Sequence, residues 1–400
     1  MEIKVEKKTD GVQGRGLPYR GEVVYIYAYD IAYDIKNEPV EKILTQPTKD
    51  YLVGPSKRIP RQMFFYRPRI AEFAPEKRTL GNGQTLEIRK SVKIFGVGAM
   101  TIQVRVPFEV DRLEDLVGYH DLKFAEQGLE EEVAQFAESV RRDLAPYCVR
   151  PVPALMQAEA YTVFCLARLP GVAHLSGEAQ AKMEAESGLP GVEGQGVRAE
   201  DWLTANRRPV AALLMQEENA DALSEQEVSE STGLYLSYYG DDLVVVDWDS
   251  AVVVGQQDSL DDVLHIMELA NVQLVELAAY DRVLDEALQL AYSDVNRQNL
   301  RAVGPVLPNL RELRIDLARL SDELSNITKF FGDWHLAKTH RNLADRFHLS
   351  DWQRIIGEKT RTLDGLYQIL LQNRFNSAMF LLEVMIVLLF IIDLVVLLIK

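Results

Sequence analysis

Carboxylates are the residues of this chain best placed to do chemistry. Asp241 and Asp242 are adjacent, and Asp247 and Asp249 flank Trp248 a few residues on. Hard divalent cations take oxygen ligands, so four acids set between apolar strands would suit a metal-dependent enzyme. The competing expectation, and the preferred one, is two successive turns, because Gly-Asp pairs close hairpins. The six histidines, His120, His174, His265, His335, His340 and His348, show no HExxH spacing. Neither a G-x-S-x-G elbow nor a P-loop occurs. No catalytic set emerges, and the expectation is a protein that is not an enzyme, with no cofactor and no metal. Cys148 and Cys165 lie too far apart for a CxxC pair and are expected as free thiols, Cys165 in an apolar run.

Two further groups could bind rather than react. Lys57, Arg58, Arg61, Phe64, Phe65, Tyr66, Arg67 and Arg69 form a basic–aromatic stretch in a Pro-rich segment. Such a mixture could stack on single-stranded RNA or contact a protein, and it could equally be a solvated loop. The formal net charge of −16 excludes broad, sequence-independent nucleic-acid binding and adhesion to anionic lipid. Glu383 and Asp393 are the other group, because they interrupt the apolar run Ala378–Ile399. As a helix that run is about 33 Å long, enough to cross a hydrocarbon core. The two acids would lie about 15 Å apart along its axis and about 80° apart around it, too far to pair. Either they sit near the two interfaces, or both lie on a contact between helices of an oligomer. Facing a pore instead, they would line an ion path.

The elements that must position these residues form an α+β soluble region, long coiled-coil-like helices and one C-terminal transmembrane helix. Residues 1–20 are a polar tail without an apolar h-region, so no cleavable signal is expected. Residues 21–218 form an N-terminal α+β region. In it Glu22–Tyr29 reads as a strand, and Leu86–Ile94 and Met100–Val106 as strands around Phe95-Gly-Val-Gly98. Residues 45–80 look irregular, Asp111–Ala145 and Ala199–Gln216 helical, Ala158–Leu169 extended, and Asn219–Thr232 a linker. Residues 233–257 form a β-hairpin region. Residues 258–376 are a helical stalk or bundle, with one seam from Val263 to Ala291 broken at Asp281. A cleaner one follows through Leu310, Leu313, Leu317, Leu320, Leu324, Ile327 and Phe331. Steps of three and four are the coiled-coil pattern, so these seven residues are the candidates for self-association. Residues 378–399 are the anchor. With the span so close to the C-terminus, the chain is expected to be tail-anchored, its soluble part cytoplasmic or on the organelle interior.

Residues 230–399 also resemble a known group. Asp333-Trp-His-Leu, Arg346-Phe-His-Leu-Ser-Asp-Trp352, Lys359, Leu363-Asp-Gly-Leu-Tyr367 and Leu382-Glu383 opening an aliphatic run are similar to the "required for meiotic nuclear division" family. The chain departs from it at Val384, where the family has Trp, and at Asp393, where it has Glu. The resemblance implies a single-pass membrane protein that forms large homo-oligomers, with no catalytic residues to carry over. Mitochondrial relatives are thought to hold ribosomes near the inner membrane. The expected function is therefore a homo-oligomeric membrane scaffold or tether for an unidentified protein or ribonucleoprotein. The local Tyr239-Gly-Asp-Asp242 is similar to the metal-binding hairpin of RNA-dependent polymerases, but the acidic chain has no evident place for a template channel.

Overall fold

The segment Tyr19–Asp30 alternates β-branched, aromatic and small residues, and such side chains pack well on a pleated surface. It becomes the central strand of a large sheet. The computed structural model describes residues 18–36, 40–51, 68–81, 83–125, 127–167, 169, 198–255, 257–297 and 334–399. In chain order the strands are β1 (Tyr19–Asp30), β2 (Ala32–Ile35), β3 (Lys42–Ile43), β4 (Gln46–Asp50), β5 (Arg69–Glu72), β6 (Glu76–Thr79) and β7 (Thr85–Ile94). They continue as β8 (Ala99–Val110), β9 (Cys148–Pro151), β10 (Glu159–Leu166), β11 (Tyr235–Leu236), β12 (Leu243–Val246) and β13 (Ser250–Val254). The helices are α1 (Leu129–Leu144), α2 (Ala199–Ala205), α3 (Arg207–Leu214), α4 (Glu225–Ser231), α5 (Gln257–Arg297), α6 (Trp334–Arg346) and α7 (Leu349–Ile399).

The main sheet runs β11-β12-β13-β10-β1-β8-β7-β5-β4-β3, with β6 added to β7, while β2 pairs with β9 alone. β1 lies antiparallel to β8 and β10, with Val24 opposite both Arg105 and Val163. β13 lies parallel to β10. Because side chains alternate across a strand, β1 offers Val23, Tyr25, Tyr27 and Tyr29 to one core and Val24, Ile26 and Ala28 to the other face. The first core is closed by α1, whose Leu129, Val133, Ala137, Val140 and Leu144 recur at steps of three and four. Glu130 to Glu132 in its first turn and Arg141 and Arg142 in its last complement the helix dipole. The second face is closed by α5.

At the β7–β8 turn Gly98 has φ +99°, and a Cβ there would lie 1.8 Å from the Ala32 carbonyl oxygen. Only glycine permits that approach, which lets Gly98 O accept from both Ile31 N and Ala32 N. Several expectations are corrected. The 45–80 segment, which looked irregular, contains β4, β5 and β6. The 111–145 segment is not one helix: its described residues hold a 3-10 stretch, Leu113–Tyr119, then α1, and a second 3-10 turn begins at Ala145. The supposed linker 219–232 holds α4, capped by the Ser224 hydroxyl, which accepts from Glu227 N at 3.2 Å. The 233–257 hairpin region is not separate, since β13 joins it edgewise to the main sheet.

Candidate functional site

Helices α5 and α7 leave the sheet together. At the sheet end Phe347 packs edge-on against Tyr161, with ring centroids 5.4 Å apart, and His340 Nε2 lies 3.0 Å from Gln273 Oε1. Farther out, Lys359 Nζ lies 2.6 Å from Asp281 and 2.7 Å from Asp285. The two helices therefore run the same way, and Asp281, which interrupts the apolar pattern in the sequence, is half of an ion pair. Leu277, Leu284 and Ala291 of α5 and Ile356 and Leu363 of α7 are buried at intervals of seven in one cluster. Equal helical rise from the Lys359 level places Arg297 roughly beside residue 373, just short of Ala378. There α7 continues without a break into Ala378–Leu398, a helix long and apolar enough to cross a membrane, none of it buried. Glu383 follows Ile356 by about seven and a half turns, so it points away from the α5 seam.

The other expected residues are not brought together. Asp242 Oδ1 accepts from the backbone of Tyr238 at 2.6 Å and Tyr239 at 2.9 Å, closing the turn it sits in. Asp247 is buried, accepts from the Ser231 hydroxyl and lies 3.6 Å from Arg346. Asp249 is exposed in the next turn. Among the described residues no group of three or more His, Cys, Asp or Glu is placed to hold a metal. Cys148 and Cys165 are free and buried, and burial pushes both thiols up. Leu310, Leu313, Leu317, Leu320, Leu324, Ile327 and Phe331 lie outside the described residues, as do Lys57, Arg58, Arg61, Phe64, Phe65, Tyr66 and Arg67. Arg69 is in β5, where its guanidinium donates to Thr48 Oγ1 at 3.0 Å. It is tied to the sheet rather than offered to a partner.

A layer of charge lies between the sheet and the first third of α5, buried at Lys93 and Glu268 and open to solvent at Arg89 and Asp261. Lys93 of β7 pairs with Glu268 of α5, which also accepts from Thr101 Oγ1 at 3.2 Å. Arg105 of β8 bridges Glu22 at 2.9 Å and Asp261 at 2.7 Å, and Arg89 reaches Glu22 at 2.6 Å. Tyr51 lies beneath Lys93 with Nζ 4.0 Å from its ring centre, and stacks at 4.8 Å on His265. Burial lowers the His265 pKa and keeps its imidazole neutral. Burial opposes ionisation of Glu268, but Lys93 and His265 beside it hold its carboxyl below the usual range. Tyr51 N donates to Pro68 O at 2.9 Å, so the chain leaves and re-enters the described structure at the rim of this layer.

Sequence reasoning missed this layer. Lys93, between Val92 and Ile94, and Arg105, between Val104 and Val106, alternate with apolar residues and look solvent-facing. The available signal was the matching polar stripe Asp261, His265 and Glu268, at steps of four and three along α5. The Lys93–Glu268 and Arg105–Asp261 pairs tie α5 to the sheet at one register.

A family model described as "Uncharacterized protein MJ0711, N-terminal domain" matches residues 20–187 and 192–260, more than half of the chain, and the chain belongs to that family. The "Uncharacterized protein MJ0711" of Methanocaldococcus jannaschii is 22% identical over 205 residues, covering 50% of this chain. The match takes in 62% of that relative's length. No solved structure matches.

Proposed function

We propose that this member of the MJ0711 N-terminal domain family is a membrane-anchored, homo-oligomeric scaffold that presents its sheet domain to a partner. The observation that supports this most is α7, one helix that begins against the sheet and ends as the candidate span. Such a helix ties the position of the soluble domain to the membrane. The resemblance of residues 230–399 to the "required for meiotic nuclear division" family falls mostly beyond the matched residues, so the two likenesses are compatible.

On this reading the α5–α7 pair and the seam from Leu310 to Phe331 form a coiled-coil stalk. Self-association through the seam, with Glu383 on the outward side of α7, gathers several weak soluble sites at high effective concentration. The soluble part lies on the cytoplasmic or organelle-interior side. The partner is a protein or ribonucleoprotein, such as the translation machinery, and the Lys57–Arg67 stretch is its first expected contact.

Light scattering on the detergent-solubilised whole chain tests the reading. The expected result is an oligomer that Leu317→Asp with Leu324→Asp reduces to smaller species. A wild-type monomer would remove the scaffold mechanism.

A further inference from the structure

Asp261, His265 and Glu268 recur at steps of four and three, so helical geometry turns all three toward β7 and β8. The middle one is not settled there. His265 Nδ1 is buried without a hydrogen-bond partner among the described residues, and it lies 3.7 Å from Glu268 Oε2, beyond hydrogen-bond reach. The same oxygen pairs with Lys93 Nζ, while Thr101 Oγ1 donates to the other carboxylate oxygen at 3.2 Å. Little of this cluster meets water, since His265 is 4% exposed, Lys93 3% and Glu268 0%. Gln103, on β8 between Thr101 and Arg105, accepts from Arg105 Nε at 2.8 Å, yet its Nε2 is also buried without a partner among the described residues. The ion pairs therefore enclose polar atoms that they leave unused. Such groups are costly in a low dielectric and mark the place where a buried network can rearrange.

Around the imidazole stand Asp261, Asp262 and Glu268 of α5, Lys93 of β7, Arg105 of β8 with Glu22 of β1 behind it, and the Tyr51 phenol. Burial and Lys93 oppose a proton on His265, while Glu268 and Asp262 favour one. A protonated imidazole presents a donor at Nδ1. Two cations then compete for Glu268 Oε2, and the enclosed cluster carries a positive charge that no further acid answers. We propose that Lys93, Glu268 and His265 form a proton-operated release: a proton taken up by His265 draws Glu268 away from Lys93 and frees the first third of α5 from β7 and β8. The aliphatic contacts of α5 with β1 and β10 remain, so the helix stays on the sheet but loses its fixed register. The sheet can then turn against the α5–α7 pair. The device is independent of the anchor and of self-association.

The test is hydrogen exchange, read by mass spectrometry on the whole detergent-solubilised chain, with each rate divided by the unstructured rate at the same pH. Below about pH 6.5, the ordinary histidine value, protection around Asp261–Glu268 and around Lys93 should fall at least about tenfold. Protection of α1, on the other face of the sheet, should change by less than about twofold. His265→Gln should abolish the local fall. Lys93→Met should abolish it as well, because the protonated imidazole then has Glu268 to itself, an effect that a merely structural histidine would not produce. This second variant also reports independently if His265→Gln folds poorly. The proposal is overturned by protection that stays constant down to about pH 5, by an equal fall in α1, or by a local fall that persists in either folded variant.

Discussion

Helix α5 meets the sheet through two unlike surfaces. Over β1, β10, β12 and β13 it rests on aliphatic side chains such as Val24, Ile26, Val163 and Val253. Over β7 and β8 the facing groups are Lys93, Thr101 and Arg105, answered by Asp261 and Glu268. Burial of aliphatic surface is non-directional and tolerates small shifts of a helix. Buried ions do not, because a displaced helix would leave charges without partners at several kcal/mol each. One half supplies stability, and the other selects the register.

Removing one member of the ionic half should have the largest effect. Glu268→Ala strands Lys93, which is buried, and is expected to cost about 3–5 kcal/mol in a denaturant titration. Lys93→Met with Glu268→Leu should recover most of that loss. A double variant as unstable as the single one would break the division of roles.

Acid should loosen the ionic half by a smaller, graded amount. His265 is held neutral by burial, and His340, in the α5–α6 contact, has its pKa lowered to about 4 by burial. Below the unfolded value of about 6.5, the unfolded chain binds protons that the folded chain refuses. Stability therefore falls with pH, by at most about 1.4 kcal/mol per unit for each histidine, and for His340 the loss continues down to its folded pKa. Glu268 adds to the loss at lower pH, since a carboxyl held below its usual range gives stability that vanishes as it is protonated. His265→Gln with His340→Gln should flatten the slope of stability against pH between 6.5 and about 4. An unchanged slope would place the responsible protons elsewhere. The smallest effect belongs to the aliphatic half: Ile26→Val should cost about 0.5–1.5 kcal/mol in the same titration.

The same alternation that made part of the fold legible hid the rest. β1 and the hairpin around Gly98 announce themselves because apolar residues recur every second position. That period equally makes Lys93 and Arg105 look solvent-facing, since nothing local reveals that a helix more than 150 residues later covers them. The pairing of β13 with β10 was invisible for a related reason. Residues 167–249 separate the two strands, and parallel partners share no turn. The candidate span needed no partner to be recognised, because its apolar composition is itself the signal.

An unbroken α7 turns inclination into displacement. From Ala378 back to Leu349 the helix extends about 43 Å. A lean of about 20° at the bilayer, ordinary for a single span, would carry the sheet roughly 15 Å sideways. Bilayer thickness, by setting that lean, would then decide the reach of the domain over the surface.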